Sequence, residues 1–404
     1  MTHTDRPRTT ARKRNSGSSG SSFDRFSVGP ASLPLTAIAG CYQAFGSDTF
    51  AKARISFNAL RRSAINKQTS GSDGRLDTLR AWLQSLPSLG DFDLAPASGD
   101  ASFRRYFRVT VGKKSYIAMD APPGQEDCLP FVTVQSQLES MGLNVPALLA
   151  SDVAAGFLLL SDLGTRLYLD ELAAHPERAD ALYSDALDAL ATMQQGGAAF
   201  EQRLPPFDAP FIRRELALFH DWLCGTHLGY EWSAAADASW ESVSNLLINA
   251  ALDQDAVFVH RDYHSRNLMV TADKNPGILD FQDAVSGPLT YDLVSLLKDC
   301  YVTWPPDRVA AWAAGFFDRL EADVRERVGL ERFLRAFALM GVQRHLKAAG
   351  IFARLNHRDG KPGYMHDIPR TLAYILALRS DFPELRFLYE LIEDVVLPGL
   401  DAAS

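Results

Sequence analysis

Cysteine is scarce: the four in 404 residues, Cys41, Cys128, Cys224 and Cys300, form no Cys-x-x-Cys pair and have no paired histidines nearby. That excludes a disulfide scaffold or a zinc centre built on them, and it suits a reducing cytoplasm. Long apolar runs are also missing. No stretch reaches the roughly 18 uninterrupted apolar residues of a spanning helix, because Asp, Arg or Pro breaks each candidate, so no membrane partner is expected. Dense basic runs interleaved with aromatics are absent as well. The formal charge of −8 divides unevenly: residues 1–75 hold 12 Lys/Arg against 4 Asp/Glu, which leaves −16 on the remainder. A body that acidic has no general attraction for nucleic acid.

What remains is an ordinary globular composition, 47% apolar and 22% charged. At this length a single core stops growing and two lobes are expected. Residues 1–75 are rich in Ser, Gly, Thr and Arg, with the low-complexity run Ser16 to Ser22. They are expected to be disordered or a dispensable extension; their composition also resembles an organelle transit peptide. Residues 76–163 form the first lobe. Leu79, Trp82, Leu83 and Leu86 recur at helical spacing before Pro87; Phe92 to Ala95, Arg104 to Val111 and Ser115 to Met119 read as strands, Phe131 to Met141 as a helix, and Val153 to Leu160 as a strand. From 164 to 404 the pattern is mainly helical, near Tyr168 to Met193, Phe211 to Cys224, Ala234 to Leu252 and Glu331 to Leu355, interrupted by one β-like island from Ala256 to Phe281.

The island holds the chemistry. His260-Arg261-Asp262-Tyr263-His264-Ser265-Arg266-Asn267 follows His-x-Asp-x-x-x-x-Asn, and Gly277-Ile278-Leu279 leads into Asp280-Phe281. The separations, 5 residues from Asp262 to Asn267 and 13 from Asn267 to Asp280, are those of protein-kinase-like phosphotransferases. Phosphoryl transfer requires little covalent work of a protein; it needs the nucleophile, the γ-phosphate and a metal held in line with their charges compensated. Asp262 would accept or orient the proton of the attacking hydroxyl, while Asn267 and Asp280 supply hard oxygen ligands to Mg2+. His260 and His264 are expected to support the loop as packed, hydrogen-bonded histidines. About ten residues separate Asp280 from the helix that starts at Tyr291, and no Ala-Pro-Glu follows. The peptide-docking platform of a protein kinase is therefore missing, and a small acceptor is indicated.

With Ser98-Gly99-Asp100-Ala101-Ser102, Gly156-Phe157-Leu158-Leu159-Leu160-Ser161-Asp162-Leu163-Gly164 and the block from His260 to Asp292, the chain resembles the aminoglycoside phosphotransferase family. Within it the chain is most similar to the cell-wall sugar kinases that phosphorylate N-acetylmuramate and N-acetylglucosamine at the anomeric hydroxyl. That narrower likeness rests on Ser102 to Val109, Met119-Asp120-Ala121-Pro122-Pro123, Arg214 to Phe219, Asp299-Cys300-Tyr301, and Gln343 to Lys347 followed by Gly350 to Leu355. The resemblance implies an α+β, two-lobed protein-kinase-like fold with a small β-rich N-lobe, a larger helical C-lobe and ATP between them. It makes Asp262 the catalytic base, Asn267 and Asp280 the metal ligands, and Leu160, Ser161, Asp162 and Leu163 the hinge beside adenine. Gly99, Asp100, Ala101 and Ser102 would cover the phosphates with Arg104 or Arg105 as charge partner, and His260, His264 and Asp292 would support the loop. The acceptor would be a small sugar; on the helix near Glu331 to Leu355, Arg344, Lys347 and Arg354 fall close to one stripe that, with His345, could meet it, and ordinary solvated charge is the other reading of that stripe.

One departure stands out. The strand Ser115 to Met119 should deliver the family's phosphate-anchoring lysine, yet the aligned position is Met119, and the next helix offers no obvious glutamate. An arginine of the 104–108 stretch or Lys113/Lys114 would have to take over; the other reading of Arg104 and Arg108 is the solvated face of a strand. Two alternatives stay open: a kinase for an aminoglycoside or for a small alcohol such as choline or homoserine, and a nucleotide-binding pseudokinase that acts as a scaffold.

Overall fold

The computed structural model describes residues 73–99 and 103–402. The expectations for residues 1–72 and for Asp100, Ala101 and Ser102 lie outside the described residues. The chain enters through helix α1 (Gly74–Gln84), started by Asp73, whose side chain accepts the Leu76 N–H. Five strands follow: β1 (Asp93–Gly99), β2 (Arg105–Val111), β3 (Lys114–Asp120), β4 (Leu148–Asp152) and β5 (Phe157–Ser161). They form one antiparallel sheet in the order β1-β2-β3-β5-β4.

Strand periodicity sorts this sheet into two faces. Phe107, Ala118 and Leu159 stand in register across β2, β3 and β5 and pack with Leu79 and Leu83 of α1. One residue along, Tyr106, Met119 and Leu158 make the opposite row and join the main core. Met119 is fully buried there, so the place expected to carry a lysine is an apolar packing position. Helix α2 (Cys128–Ser140), capped by Asp127, covers this second face. The region expected as one strand, Val153 to Leu160, is the turn of a hairpin followed by its second strand, β5. Asp152 accepts the Ala155 N–H and Gly156 closes the turn at φ +76°, where a Cβ would lie 1.9 Å from the Ala121 carbonyl oxygen. No strong β signal marks β4, which is why the earlier strand escaped notice.

Beyond β5 the chain is helical: α3 (Tyr168–Ala174), α4 (Ala179–Gly197), α5 (Ala209–Ala217), α6 (Ala234–Leu252), α7 (Tyr291–Leu297), α8 (Pro306–Arg319), α9 (Ala322–Val328), α10 (Leu330–Asp359) and α11 (Ile368–Leu376). The expected helix Tyr168 to Met193 is divided at Pro176, which cannot donate to the preceding turn. Between α6 and α7 lie four short strands: β6 (Ala256–Val259), β7 (Leu268–Met269), β8 (Gly277–Ile278) and β9 (Val285–Pro288), paired β6 with β9 and β7 with β8. Among the described residues no helix is long and apolar enough to cross a membrane.

The 30-residue α10, about 45 Å long, is the spine of this lobe. It runs against the wide π-type turns at Leu218–His227 that continue α5, and Gly350 allows the approach, since a Cβ there would sit 2.2 Å from the Leu218 carbonyl carbon. Backbone cannot yield as a flexible side chain can. Gly350→Ala is therefore expected to destabilise the fold by about 1–3 kcal/mol in chemical denaturation, while Gly363→Ala, with no atom within 4 Å of its Cβ, leaves the midpoint in place.

Candidate active site

Three short segments deliver the expected catalytic residues to one place. The loop after β6 carries Asp262; Asn267 sits just before β7 and Asp280 just after β8. The pairing Leu268↔Ile278, extended by the Leu279 N–H donating to the Asn267 carbonyl at 2.9 Å, closes the 13-residue gap. The Asn267 Nδ2 then donates to the Asp262 carbonyl at 3.0 Å and to Asp280 Oδ2 at 3.3 Å. Both amide hydrogens are thereby used, and Oδ1 is left as a ligand atom. Asp280 lies in the left-handed region at φ 62°. Its Oδ1 accepts from Gln282 Nε2 at 2.9 Å, and the buried ring of Phe281 packs 4.8 Å from Phe131 of α2.

Two buried carboxylates hold the loop. Asp292, fully buried on α7, accepts the His260 N–H at 2.6 Å and the Arg261 N–H at 2.9 Å. Arg261 sits at φ 77°, a conformation that costs a non-glycine residue about 1–3 kcal/mol and persists only where the surroundings over-determine it. At the far end Asp299 accepts the Ser265 N–H at 3.0 Å and the Ser265 hydroxyl at 2.5 Å. His260 completes the frame: Nε2–H donates to the Leu279 carbonyl at 3.0 Å and Nδ1 accepts the Asp262 N–H at 3.3 Å. Only the neutral ring can do both, and burial holds its pKa down at about 4. Burial drives the Asp292 carboxyl the other way, up to about 7, against the pull of the two amides.

Cations crowd Asp262, two of them already paired with Glu215. Burial raises the Asp262 carboxyl, but Lys347, His264, Arg344 and Arg261 outweigh burial and hold it at about 2. It is therefore a carboxylate at neutral pH. Of the residues expected to meet the acceptor, Arg344 and Lys347 thus lie within electrostatic reach of Asp262. Lys347 is itself held by the Tyr291 hydroxyl at 2.9 Å and by Glu215 at 3.0 Å. His345 is engaged in the fold: Nε2 bonds the Lys298 carbonyl at 2.9 Å and the ring stacks on Tyr374, 4.8 Å between centroids. His264, half-buried beside Asp262, faces the edge of Tyr301.

On the sheet side, neighbouring arginines part company. Arg105 donates from Nε to Asp120 at 2.9 Å and pairs with Asp73, joining Arg75, which reaches the same buried Asp120 at 2.7 Å. That corrects its expected place at the phosphates, because adjacent residues of extended chain point to opposite sides. Arg104 instead lies 3.9 Å from Asp280 and 3.9 Å from Glu126. Arg108 clamps the hinge: Nε meets Asp162 at 2.7 Å and Nη2 donates to the Gly164 carbonyl at 2.9 Å. Asp162 is thus a brace within the hinge segment. Leu160 is buried, and the Ser161 hydroxyl accepts the Ala147 N–H at 2.8 Å; Leu163 packs over Gly277.

Sequence reasoning missed Glu215, Asp299, Arg108 and Glu126 as organisers of the site. Glu215 did leave a signal. It stands at a core position of a helix otherwise lined by Ile212, Leu216 and Phe219, where a carboxylate is tolerated only if paired.

Comparison with known proteins gives the family. Residues 93–331 match the model of the phosphotransferase enzyme family. The chain is 49% identical over 331 residues to the N-acetylmuramate/N-acetylglucosamine kinase of Pseudomonas aeruginosa, covering 79% of this chain and 96% of that one. It is 40% identical over 322 residues to the protein of the same description from Neisseria meningitidis serogroup B, covering 79% and 95%. Among solved structures, the choline kinase LicA from Streptococcus pneumoniae superposes with a TM-score of 0.54 at 15% identity, covering 76% of this chain and 100% of its own, a likeness of fold.

Proposed function

The chain belongs to the phosphotransferase enzyme family, and from that premise we propose that it is an ATP-dependent sugar kinase acting on the anomeric hydroxyl of N-acetylmuramate and N-acetylglucosamine, in cell-wall recycling. The observation that carries the reading is the convergence of Asp262, Asn267 and Asp280 on a loop pinned at both ends by Asp292 and Asp299. So complete a frame argues against a scaffold that has abandoned catalysis. The acceptor oxygen attacks the γ-phosphorus while the bond from that phosphorus to the β-bridging oxygen breaks. Its electron pair leaves with ADP, and the hydroxyl proton passes to the Asp262 carboxylate. Held at about 2, Asp262 is a weak base, suited to a loose transition state in which the nucleophile's proton departs late.

Magnesium fits the donors present. It takes one or two protein oxygens beside the phosphates and keeps several waters, and Asp280 with Asn267 Oδ1 offers that set. Among the described residues no three His, Cys, Asp or Glu side chains cluster as a closed cage. When bound, the ion compensates charge on the transferring phosphoryl group.

The cations near Asp262 favour this acceptor over the runner-up. An aminoglycoside is itself polycationic and would meet Lys347, Arg344 and Arg261, whereas N-acetylmuramate carries a carboxylate and N-acetylglucosamine no charge. ADP release measured with N-acetylmuramate, N-acetylglucosamine, an aminoglycoside, choline and homoserine decides the matter. The two amino sugars should be consumed and yield an acid-labile anomeric phosphate; indifference to both would sink the assignment.

A further inference from the structure

The position where a phosphate-anchoring lysine would stand is filled by Met119, buried in an apolar row, so a cation must reach the phosphates from elsewhere in the sheet. The register of β2 and β3 eliminates most candidates. Lys114 pairs with Val111, and Arg105 with Asp120. Lys113 and Lys114 therefore sit exposed at the opposite end of the hairpin, about 20 Å from the end that faces the catalytic loop. Arg105 and Arg75 are bound to Asp120, and Arg108 to Asp162.

Arg104 has the right surroundings. Its side chain is only 11% exposed, which rules out the solvated face of a strand. One nitrogen lies 3.9 Å from Asp280 Oδ1 and another 3.9 Å from Glu126 Oε2. Glu126 is fixed in turn by the Phe103 N–H, which donates to its other oxygen at 3.1 Å. It stands just ahead of α2, the helix tied to the Asp280 segment by the Phe131–Phe281 contact.

Resting on the kinase reading above, we propose that Arg104 is the phosphate anchor of this enzyme and Glu126 the carboxylate that positions it, so that an arginine–glutamate pair displaced to the start of β2 replaces the lysine–glutamate pair of protein kinases. A guanidinium beside Asp280 is placed to meet phosphate oxygens next to the carboxylate that would hold magnesium. Its planar fork suits bidentate phosphate binding.

Calorimetric titration with Mg·ATP, Mg·ADP and adenosine tests this separately from turnover. Arg104→Met should weaken ATP and ADP binding roughly 10- to 100-fold, the range of a hydrogen bond between charged groups, while adenosine, which lacks phosphates, binds as before and reports an intact fold. Arg104→Lys should recover part of the loss. Glu126→Gln should lower kcat more than it weakens nucleotide affinity. The Lys113→Ala/Lys114→Ala double variant should bind all three ligands like wild type. The proposal is overturned if Arg104→Met keeps wild-type ATP affinity, if adenosine binding falls equally, if the double lysine variant shows the phosphate-dependent loss, or if the wild type binds no nucleotide. Should the wild type bind Mg·ATP yet phosphorylate neither amino sugar, the acceptor assignment fails while the affinity series still decides the role of Arg104.

Discussion

Asp262→Asn is expected to lower kcat by about 10²–10⁴-fold, the span of a general base contribution, with Mg·ATP affinity unchanged. Asparagine keeps the size of the side chain but cannot take a proton. The backbone roles of residue 262 survive the change, because its carbonyl still accepts from the Asn267 amide and from the His264 N–H, and its own N–H still meets His260. Stopped-flow or steady-state kinetics beside calorimetry separate the two quantities. Affinity falling in step with kcat would make Asp262 a structural residue, and an unchanged kcat would remove it from the chemistry. The pH dependence adds a second check. With its carboxyl held at about 2, Asp262 stays ionised across the stable range, so the ratio of wild-type to variant rates should be the same at acid and alkaline pH. A ratio that falls as the pH is lowered would mean that Asp262 itself titrates in the accessible range.

The largest effect on stability is expected at Glu215. Its carboxylate receives Arg261 at 2.9 Å, Lys347 at 3.0 Å and Gln343 at 2.9 Å, and only 7% of its side chain is exposed. Glu215→Ala leaves two cations in the interior without a counter-charge, and breaking a buried ion pair from one side costs about 3–5 kcal/mol. Urea denaturation at pH 7 should show that loss, with Glu215→Gln falling between, since it keeps volume and one acceptor but no charge. Burial raises the Glu215 carboxyl, yet Lys347 and Arg261 prevail and lower it overall. The wild-type advantage is therefore full above about pH 4.3, the unfolded-chain value for glutamate, and fades as pH falls below it. Equal stability of Glu215→Ala and wild type at pH 7 would mean that water reaches Arg261 and Lys347.

The catalytic frame was legible because its signal is local. Asp262, Asn267 and Asp280 sit at fixed spacings on a loop and two short strands, and the missing segment before Tyr291 could be counted directly. The strands and long helices were legible for a similar reason: period 2 in β2 and β3, period 3.6 in α6 and α10. What escaped depends on distant pairing. Nothing in the run from Phe103 to Arg108 says which arginine meets Asp280 and which meets Asp162; that follows from the register of β2 against β3 and β5. Asp299 and Glu215 act on the loop from 34 and 46 residues away, across contacts no single-sequence pattern encodes. His345 shared a basic-looking block with Arg344 and Lys347, but consecutive residues of a helix face different neighbours, and its ring went to Tyr374.

A molecular switch needs two arrangements of nearly equal free energy, one of which a signal can favour. The stretch after Asp280 is tied down, since β9 is laced to β6 along four residues and Arg261 is paired with the Glu215 carboxylate. Protein kinases commonly leave that segment loose and supply its counter-charge by phosphorylation. Here the counter-charge is written into the gene. The chain itself thus supplies the partner of Arg261, and no added phosphate is needed to pair it.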